Sequence, residues 1–316
     1  MDNRITRTVI TLLSLLALAL VFSCEGDETG ADGGGTLIER SETQAEPLPG
    51  ETSDSLKTDG EEEEAAKPKD KEPSLEKFEY SWTDSKDLPD ILIVVDDFGN
   101  STALLEDFAQ LPPEVAFAVL PDLSATQVSG QVASQNGHEV LIHVPMEALG
   151  GGNPGKRYIS TDSSPEQVAE LLTAFKAQLP MAIGANNHMG SAVTANEELM
   201  KTVYNELHAR GMFFLDSYTG GSKVPANVAK TLGYPPLKRD MFLDVPDLKE
   251  HKKNSDESLA YKISSLGKYK GRREPIVIIT HCHDREKLAA LRKFITQIQG
   301  MGLRLTTLSR ARNIAA

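Results

Sequence analysis

The chain has 316 residues, with 33 Lys and Arg against 46 Asp and Glu, a net charge of −13, 40% hydrophobic residues and 2 cysteines. That length holds one large domain or two ordinary ones. The acidic balance excludes a nucleic-acid partner, which needs a basic footprint, and two cysteines exclude a disulfide framework or a cysteine-rich zinc module.

The charge is not spread evenly. Residues 25–79 hold 18 acidic and 6 basic side chains, whereas residues 80–316 carry a net charge of only −2. At the N-terminus, Arg4 and Arg7 precede an apolar run from Val9 to Phe22 that ends at Ser23-Cys24. This is a basic region, an apolar region and a small residue before a cleavage point, so an export signal is expected over residues 1–24. As a helix the run would rise about 21 Å, short of the ~30 Å hydrocarbon core, which argues against a permanent span. The Cys directly after the run resembles a bacterial lipobox, although Val21-Phe22-Ser23 departs from its usual string. The resemblance implies a lipid on Cys24 and an exported lipoprotein anchored to a membrane of the cell envelope. An ordinary secretory signal or an uncleaved anchor is the alternative.

Residues 25–85 are mostly Gly, Glu, Asp, Ser, Thr, Pro and Lys, with GGG at 33–35 and EEEE at 61–64. Few of these can enter a core, so an acidic, disordered tether is expected there. Its root-mean-square span is roughly 40–45 Å.

From residue 86 to 316 one folded domain is expected. The strand candidates are ILIVVDD (91–97), VAFAVLP (115–121), EVLIHVP (139–145), MAIGANNH (181–188), MFFLDS (212–217), DMFLDV (240–245), PIVIITH (275–281) and LRLTTL (303–308). Several are continuous apolar runs, as in parallel strands buried on both faces. Helices fit between them. Ser164-Pro165-Glu166-Gln167 reads as a capping box leading into Val168, Leu171, Leu172, Phe175 and Leu179. Met200, Val203, Tyr204 and Leu207 repeat the helical stripe, and Asp284 can cap a third helix that Gly300 ends. Seven or eight such units suggest a (β/α) barrel or a barrel-like α/β sheet.

Strand after strand ends in a potential ligand, acid or base: Asp96-Asp97, His143, His188, Asp216, Asp244 and His281. In a parallel barrel these ends open on one face, where chemistry is placed. Five of the 7 His (His138, His143, His188, His281 and His283) fall in or beside these motifs, which scatter would not produce. Two adjacent carboxylates at a strand end can divide labour, one binding a cation and the other moving a proton. Two or three imidazoles with one carboxylate make a three-ligand site with open positions, the usual catalytic zinc arrangement. Taken singly, His143 reads first as a satisfied core residue and Cys282 as a buried, inert thiol, although a His281-Cys282-His283 site is conceivable.

The strings DDFGN (96–100), GHEVLIHVPME (137–147), GANNHMGS (184–191), FLDSYT (214–219) and FLDV (242–245) resemble the divergent polysaccharide deacetylase family, from about Asp90 to Leu308. The resemblance implies an α/β fold, a distorted (β/α) barrel of about seven parallel strands like that of the polysaccharide deacetylases. It also implies a divalent metal, zinc first, with Asp96 as base, Asp97 as metal ligand and His281 as acid. The family's relatives carry a His-x-x-x-His metal pair; here the matching place reads His143-Val-Pro-Met-Glu147, and His188 is the natural replacement for the missing imidazole. Asp216 and Asp244 could then orient imidazoles, while Glu147, Asn187, Ser191, Ser217 and Thr219 are further site or substrate-binding candidates. Capping and turn roles are the competing reading for Ser217 and Thr219.

The function implied is a metal-dependent hydrolase removing N-acetyl groups from an envelope or extracellular polysaccharide, a peptidoglycan-like polymer included. The alternative is a catalytically silent glycan-binding or scaffold lipoprotein on the same fold, motivated by the missing second His; a metal-dependent phosphoesterase is a third. Oligomeric state is left open.

Overall fold

Strand β1 (Ile91–Phe98) is buried along its whole length, as its apolar run requires, and is an interior strand of a sheet in which every pair is parallel. This computed structural model describes residues 75–315. The expected export signal, Cys24 and the greater part of the expected acidic tether lie outside the described residues. The other strands are β2 (Ala116–Val119), β3 (Val140–Met146), β4 (Gly184–Met189), β5 (Phe213–Asp216), β6 (Leu237–Lys238), β7 (Met241–Phe242) and β8 (Ile276–His281). Their order in the sheet is β6-β5-β4-β3-β2-β1-β8-β7. Helices α1 (Leu105–Ala109), α2 (Thr126–Gln135), α3 (Pro165–Gln178), α4 (Glu197–Ala209) and α5 (Val224–Leu232) each follow one of the first five strands. Helix α6 (Asp256–Ser265) follows β7, α7 (Arg285–Gly300) follows β8, and α8 (Leu308–Ala315) ends the described chain.

The two edge strands are β6 and β7, yet only Arg239 and Asp240 separate them in sequence. The Arg239 amide donates to the Asp216 carbonyl at the end of β5 (2.9 Å), and the Asp240 amide donates to the Val277 carbonyl in β8 (2.8 Å). Consecutive residues thus touch opposite edges of the sheet, which is curled into a distorted barrel joined there by the chain itself.

Alternation along the strands makes two cores. Ile93, Val95, Phe117, Ile142 and Ile278 face the helices, against Phe175, Val203 and Phe294. Leu92, Val94, Ala118, Leu141, Leu215 and Ile279 fill the interior, together with Leu308 and Ala311 of α8. Because β1 begins at Ile91, and Ile91 pairs with the segment just before α8, α8 caps the N-terminal end. The C-terminal mouth is left for the site.

The capping box at Ser164 and the Asp284 cap both form. Two expectations need correction. LRLTTL makes one bridge, Leu305 to Ile91, and then turns helical; the Thr307 hydroxyl accepts from the Arg310 amide (3.3 Å), so its capping chemistry ends the extended run. The sheet has eight strands, in keeping with the expected distorted barrel of about seven; the two-residue ladder Leu237–Lys238 is too short to leave a periodic signal. The packed region also starts ahead of residue 86: Leu75 and Trp82 are buried, and the Trp82 indole donates to the Ile263 carbonyl (2.7 Å). Among the described residues no helix is long and apolar enough to cross a membrane.

Candidate metal centre

Asp96 ends the inward-facing series Leu92, Val94, Asp96. Strict alternation would turn Asp97 outward, but the β1–β2 register breaks between Val95 and Phe98, and Asp97 has φ of 72°. Left-handed backbone costs an ordinary residue about 1–2 kcal/mol, and Asp is among the few side chains enriched there. The kink brings both carboxylates to one imidazole: Asp97 Oδ1 lies 3.2 Å and Asp96 Oδ2 3.7 Å from His143 Nε2. Gly99, at φ of 116°, then lets the chain pass the Leu120 carbonyl, where a Cβ would approach to 2.8 Å.

His143 on β3 is the register partner of Asn186 on β4. The Asn186 amide nitrogen donates to Asp96 Oδ1 (2.8 Å), so its carbonyl is left to accept from His143 Nδ1 (2.9 Å). Neutral His143 therefore keeps its proton on Nδ1, which leaves the Nε2 lone pair for the mouth of the barrel. His188 Nδ1 stands 3.2 Å from that nitrogen and 3.1 Å from Asp97 Oδ1.

Asp97 Oδ1, His143 Nε2 and His188 Nδ1 form a triangle with sides of 3.1–3.2 Å. These three atoms would hold a divalent ion, which would supply Lewis acidity at the mouth of the barrel. Asp97 Oδ1 is buried and makes no hydrogen bond, the mark of an acceptor awaiting a cation. The donor set of two imidazoles and a carboxylate fits a divalent ion, zinc first among them.

The charges around the triad are unequal. Burial raises the Asp97 carboxyl, but the imidazoles of His143 and His188 beside Oδ1 and the hydrogen bond between His283 and Oδ2 outweigh it and hold the group well below the usual carboxylate range. Burial lowers His143, yet Asp96 and Asp97 push it up to about 9. Asp96 is raised, chiefly by burial, against the pull of His143 and His281. His281 donates from Nδ1 to Asp244 Oδ2 (2.9 Å), and that carboxylate lifts it above its ordinary value despite burial. Asp244, which burial alone would raise, is held at about 2 by His281 and Lys287.

The remaining candidates bind the frame. Asn187 accepts from the Ser217 amide (2.8 Å) and donates to the Met189 carbonyl (2.7 Å), tying β4 to the loop after β5. Ser217 Oγ lies 3.3 Å from Asn186, and Thr219 donates to the Met189 carbonyl (2.7 Å). Ser191 accepts from the Leu149 amide (2.9 Å). Glu147 accepts from the amide and hydroxyl of Thr161 (2.7 and 2.8 Å) and so holds the loop after β3. Asp216 needs correction: it accepts from the Tyr218 amide (2.8 Å) and contacts no imidazole, so Asp244 alone of the two orients one. Burial pushes the Cys282 thiol up to about 12, which suits the inert reading. His138 packs on Phe117 and bonds the Val115 carbonyl (2.8 Å) in the core, away from the triad. Two further site residues carry no mark in the sequence: Asn186, whose role follows from the pairing of β3 with β4, and Lys287, four residues after His283. A cavity of about 200 Å³ lined by Asp97, Leu104, Cys282 and His283 adjoins the centre, whereas a larger one, about 730 Å³, lies over α7. Size does not mark the chemistry here.

A distorted parallel barrel with a metal-type triad and a separate buried carboxylate at its C-terminal mouth defines the class. Residues 93–311 match the divergent polysaccharide deacetylase family, and the chain belongs to it. It is 34% identical over 154 residues to the uncharacterized protein YibQ of Escherichia coli (strain K12), covering 49% of this chain and 48% of that protein. It is 35% identical over 167 residues to an uncharacterized protein of Haemophilus influenzae Rd, covering 52% and 58%. The matches thus span about half the length of these curated relatives. A crystal structure of an uncharacterized Agrobacterium tumefaciens C58 protein superposes with a TM-score of 0.60 at 22% identity, covering 75% of this chain and 94% of that one, and shows the same fold.

Proposed function

We propose that the chain is a metal-dependent hydrolase that removes N-acetyl groups from an envelope or extracellular polysaccharide, such as a peptidoglycan-like polymer. The observation that carries this reading is the convergence of Asp97 Oδ1, His143 Nε2 and His188 Nδ1, with Asp96 Oδ2 3.7 Å from the same His143 nitrogen. The missing second His was the motive for a silent scaffold, and the position of His188 beside His143 supports the hydrolase instead.

A divalent ion held by Asp97, His143 and His188 supplies Lewis acidity toward an acetamide carbonyl and toward water. Asp96, its affinity for protons raised by burial, accepts a proton from the water that attacks that carbonyl. His281, kept protonated by Asp244, gives a proton to the departing nitrogen as the C–N bond breaks. Water and amide become acetate and amine, and the two protonation states are restored by exchange with solvent. Asn186 holds the Asp96 carboxylate and the His143 ring in one frame.

The same reading takes residues 1–24 as the export signal, Cys24 as the lipid-bearing residue and the acidic segment as a spacer that holds the barrel off an envelope membrane. It is supported by the basic, apolar and small-residue order of the first 24 residues. The test is to purify the chain, measure bound metal, and follow acetate release from N-acetylglucosamine polymers. Metal-dependent acetate release is expected. A metal content unchanged by Asp97→Ala and His188→Ala would sink the site, and bound metal without acetate release would sink the hydrolase.

A further inference from the structure

Asp97 has a second oxygen, and what holds it leads away from the triad. His283 Nε2 lies 2.7 Å from Asp97 Oδ2, and Lys287 Nζ lies 3.2 Å from His283 Nδ1. An ammonium group only donates, so His283 Nδ1 must accept, and its proton sits on Nε2, directed at Asp97. The same Lys287 Nζ is 2.8 Å from Asp244 Oδ2, the oxygen that also accepts from His281 Nδ1. Lys287 is thus one cation with two branches. One runs through His283 to the carboxylate of the metal triad, and the other runs through Asp244 to His281, whose ring stacks on that of His283 with centroids 5.4 Å apart.

The placement follows from the backbone. β8 ends at His281, Asp284 caps α7, and residues 283 and 287 lie one helical turn apart at the first turn of that helix. Lys287 keeps only 15% of its side chain in solvent, and Asp244 only 2%, so the pair sits inside the rim of the site. A Lys at a helix start is unfavourable toward the helix dipole, and here its ammonium group turns back onto a buried carboxylate.

The geometry points to Lys287 and His283 as positioning residues: Lys287 orients His283, which fixes Asp97 Oδ2 and so aims Oδ1 at the cation, while Lys287 independently fixes Asp244 and His281. This rests on the metal-centre reading above and adds to it a link between its two halves. Outer partners of metal ligands typically change metal affinity by about 10–100-fold.

The test uses the full chain with zinc alone as probe, its affinity measured by chelator competition, and acetate release at saturating zinc as a second readout. His283→Ala and Lys287→Met should each weaken zinc binding by about 10–100-fold. The double variant should be no weaker than His283→Ala by more than about 2-fold, because Lys287 reaches Asp97 only through His283. At saturating zinc, kcat should fall further in Lys287→Met than in His283→Ala, and Lys287→Arg should recover part of both losses. Melting in the presence of a chelator monitors the fold; if Lys287→Met does not fold, Lys287→Gln, which keeps a donor without the charge, takes its place in the same cycle. Zinc affinity unchanged by Lys287→Met, or losses that multiply in the double variant, would overturn the proposal. A parent chain that binds zinc but releases no acetate would remove the hydrolase reading and leave the zinc cycle decisive, while a parent that binds no zinc would overturn both.

Discussion

Asp96 and His281 are register partners on adjacent parallel strands, β1 and β8, so the two side chains face the same mouth of the barrel. Their surroundings push them in complementary directions for proton traffic. Burial makes Asp96 a better proton acceptor, and Asp244 favours the protonated form of His281 against burial. Neither belongs to the triad. Asp96→Asn and His281→Ala should therefore retain bound metal while lowering kcat for acetate release by about 10²–10⁴-fold. Metal analysis and single-substrate kinetics on the same preparations check this; loss of metal in either variant would place that residue among the ligands.

The arrangement was partly legible in the sequence because parallel strands expose their C-terminal residues together, so Asp96, His143, His188 and His281 could be gathered without knowing a distance. What the sequence hid was lateral and conformational. Asn186 matters because of its register beside His143, which depends on how β3 and β4 pair. Asp97 matters because a left-handed kink turns it back inward, and alternation alone sends it the other way. Asp216 ends its strand as Asp96 does, but it lies toward the helical layer, where its charge acts on Tyr204. The two-residue strands β6 and β7 were invisible as a pair, since their meaning lies in the opposite edges they join.

Metal addition should stabilise the chain, by about 4 kcal/mol when free metal is 1,000 times Kd. Asp97→Asn tolerates the left-handed backbone and should fold, yet lose that gain. The gain should also grow with pH. The His143 pKa is raised to about 9 without metal, so its contribution to the metal-free chain is full below about 6.5 and is lost as pH rises through about 9. The proton and the ion compete for Nε2, so metal affinity should rise from pH 7 toward 9. Thermal melts with and without zinc across that range provide the check; a shift in Tm that shrinks with pH contradicts it.

Asp216 should make the fold less stable as pH rises. Burial pushes its carboxyl up to about 6, against 3.8 for an unperturbed group. Between those values the unfolded chain has released the proton and the folded chain keeps it, so stability falls across that window, by roughly 2–3 kcal/mol in all. Asn at this position can still accept from the Tyr218 amide. Asp216→Asn should match the parent in urea unfolding near pH 4 and exceed it by roughly 2–3 kcal/mol at pH 7.5. A difference that does not change with pH would show that the carboxyl is not strained by burial.

Asn186 can be separated from the groups it serves by two substitutions. Asn186→Ala leaves Asp96 Oδ1 and the His143 Nδ1 proton, both buried, without their partner. Each orphaned group costs about 1–3 kcal/mol, and zinc affinity should fall about 10–100-fold as the ring loses its orientation. Asn186→Asp still accepts from His143, so the ring stays aimed and zinc binding should survive better than in Asn186→Ala. It cannot donate to Asp96, however, and it adds a like charge beside it, which raises the proton affinity of the pair. Acetate release should therefore be lost on the acid side, with the rising limb of the pH–rate profile displaced upward in Asn186→Asp. Equal zinc affinities in the two variants, or an unmoved pH profile in Asn186→Asp, would mean that Asn186 fills space and does not set the His143 tautomer or the Asp96 proton.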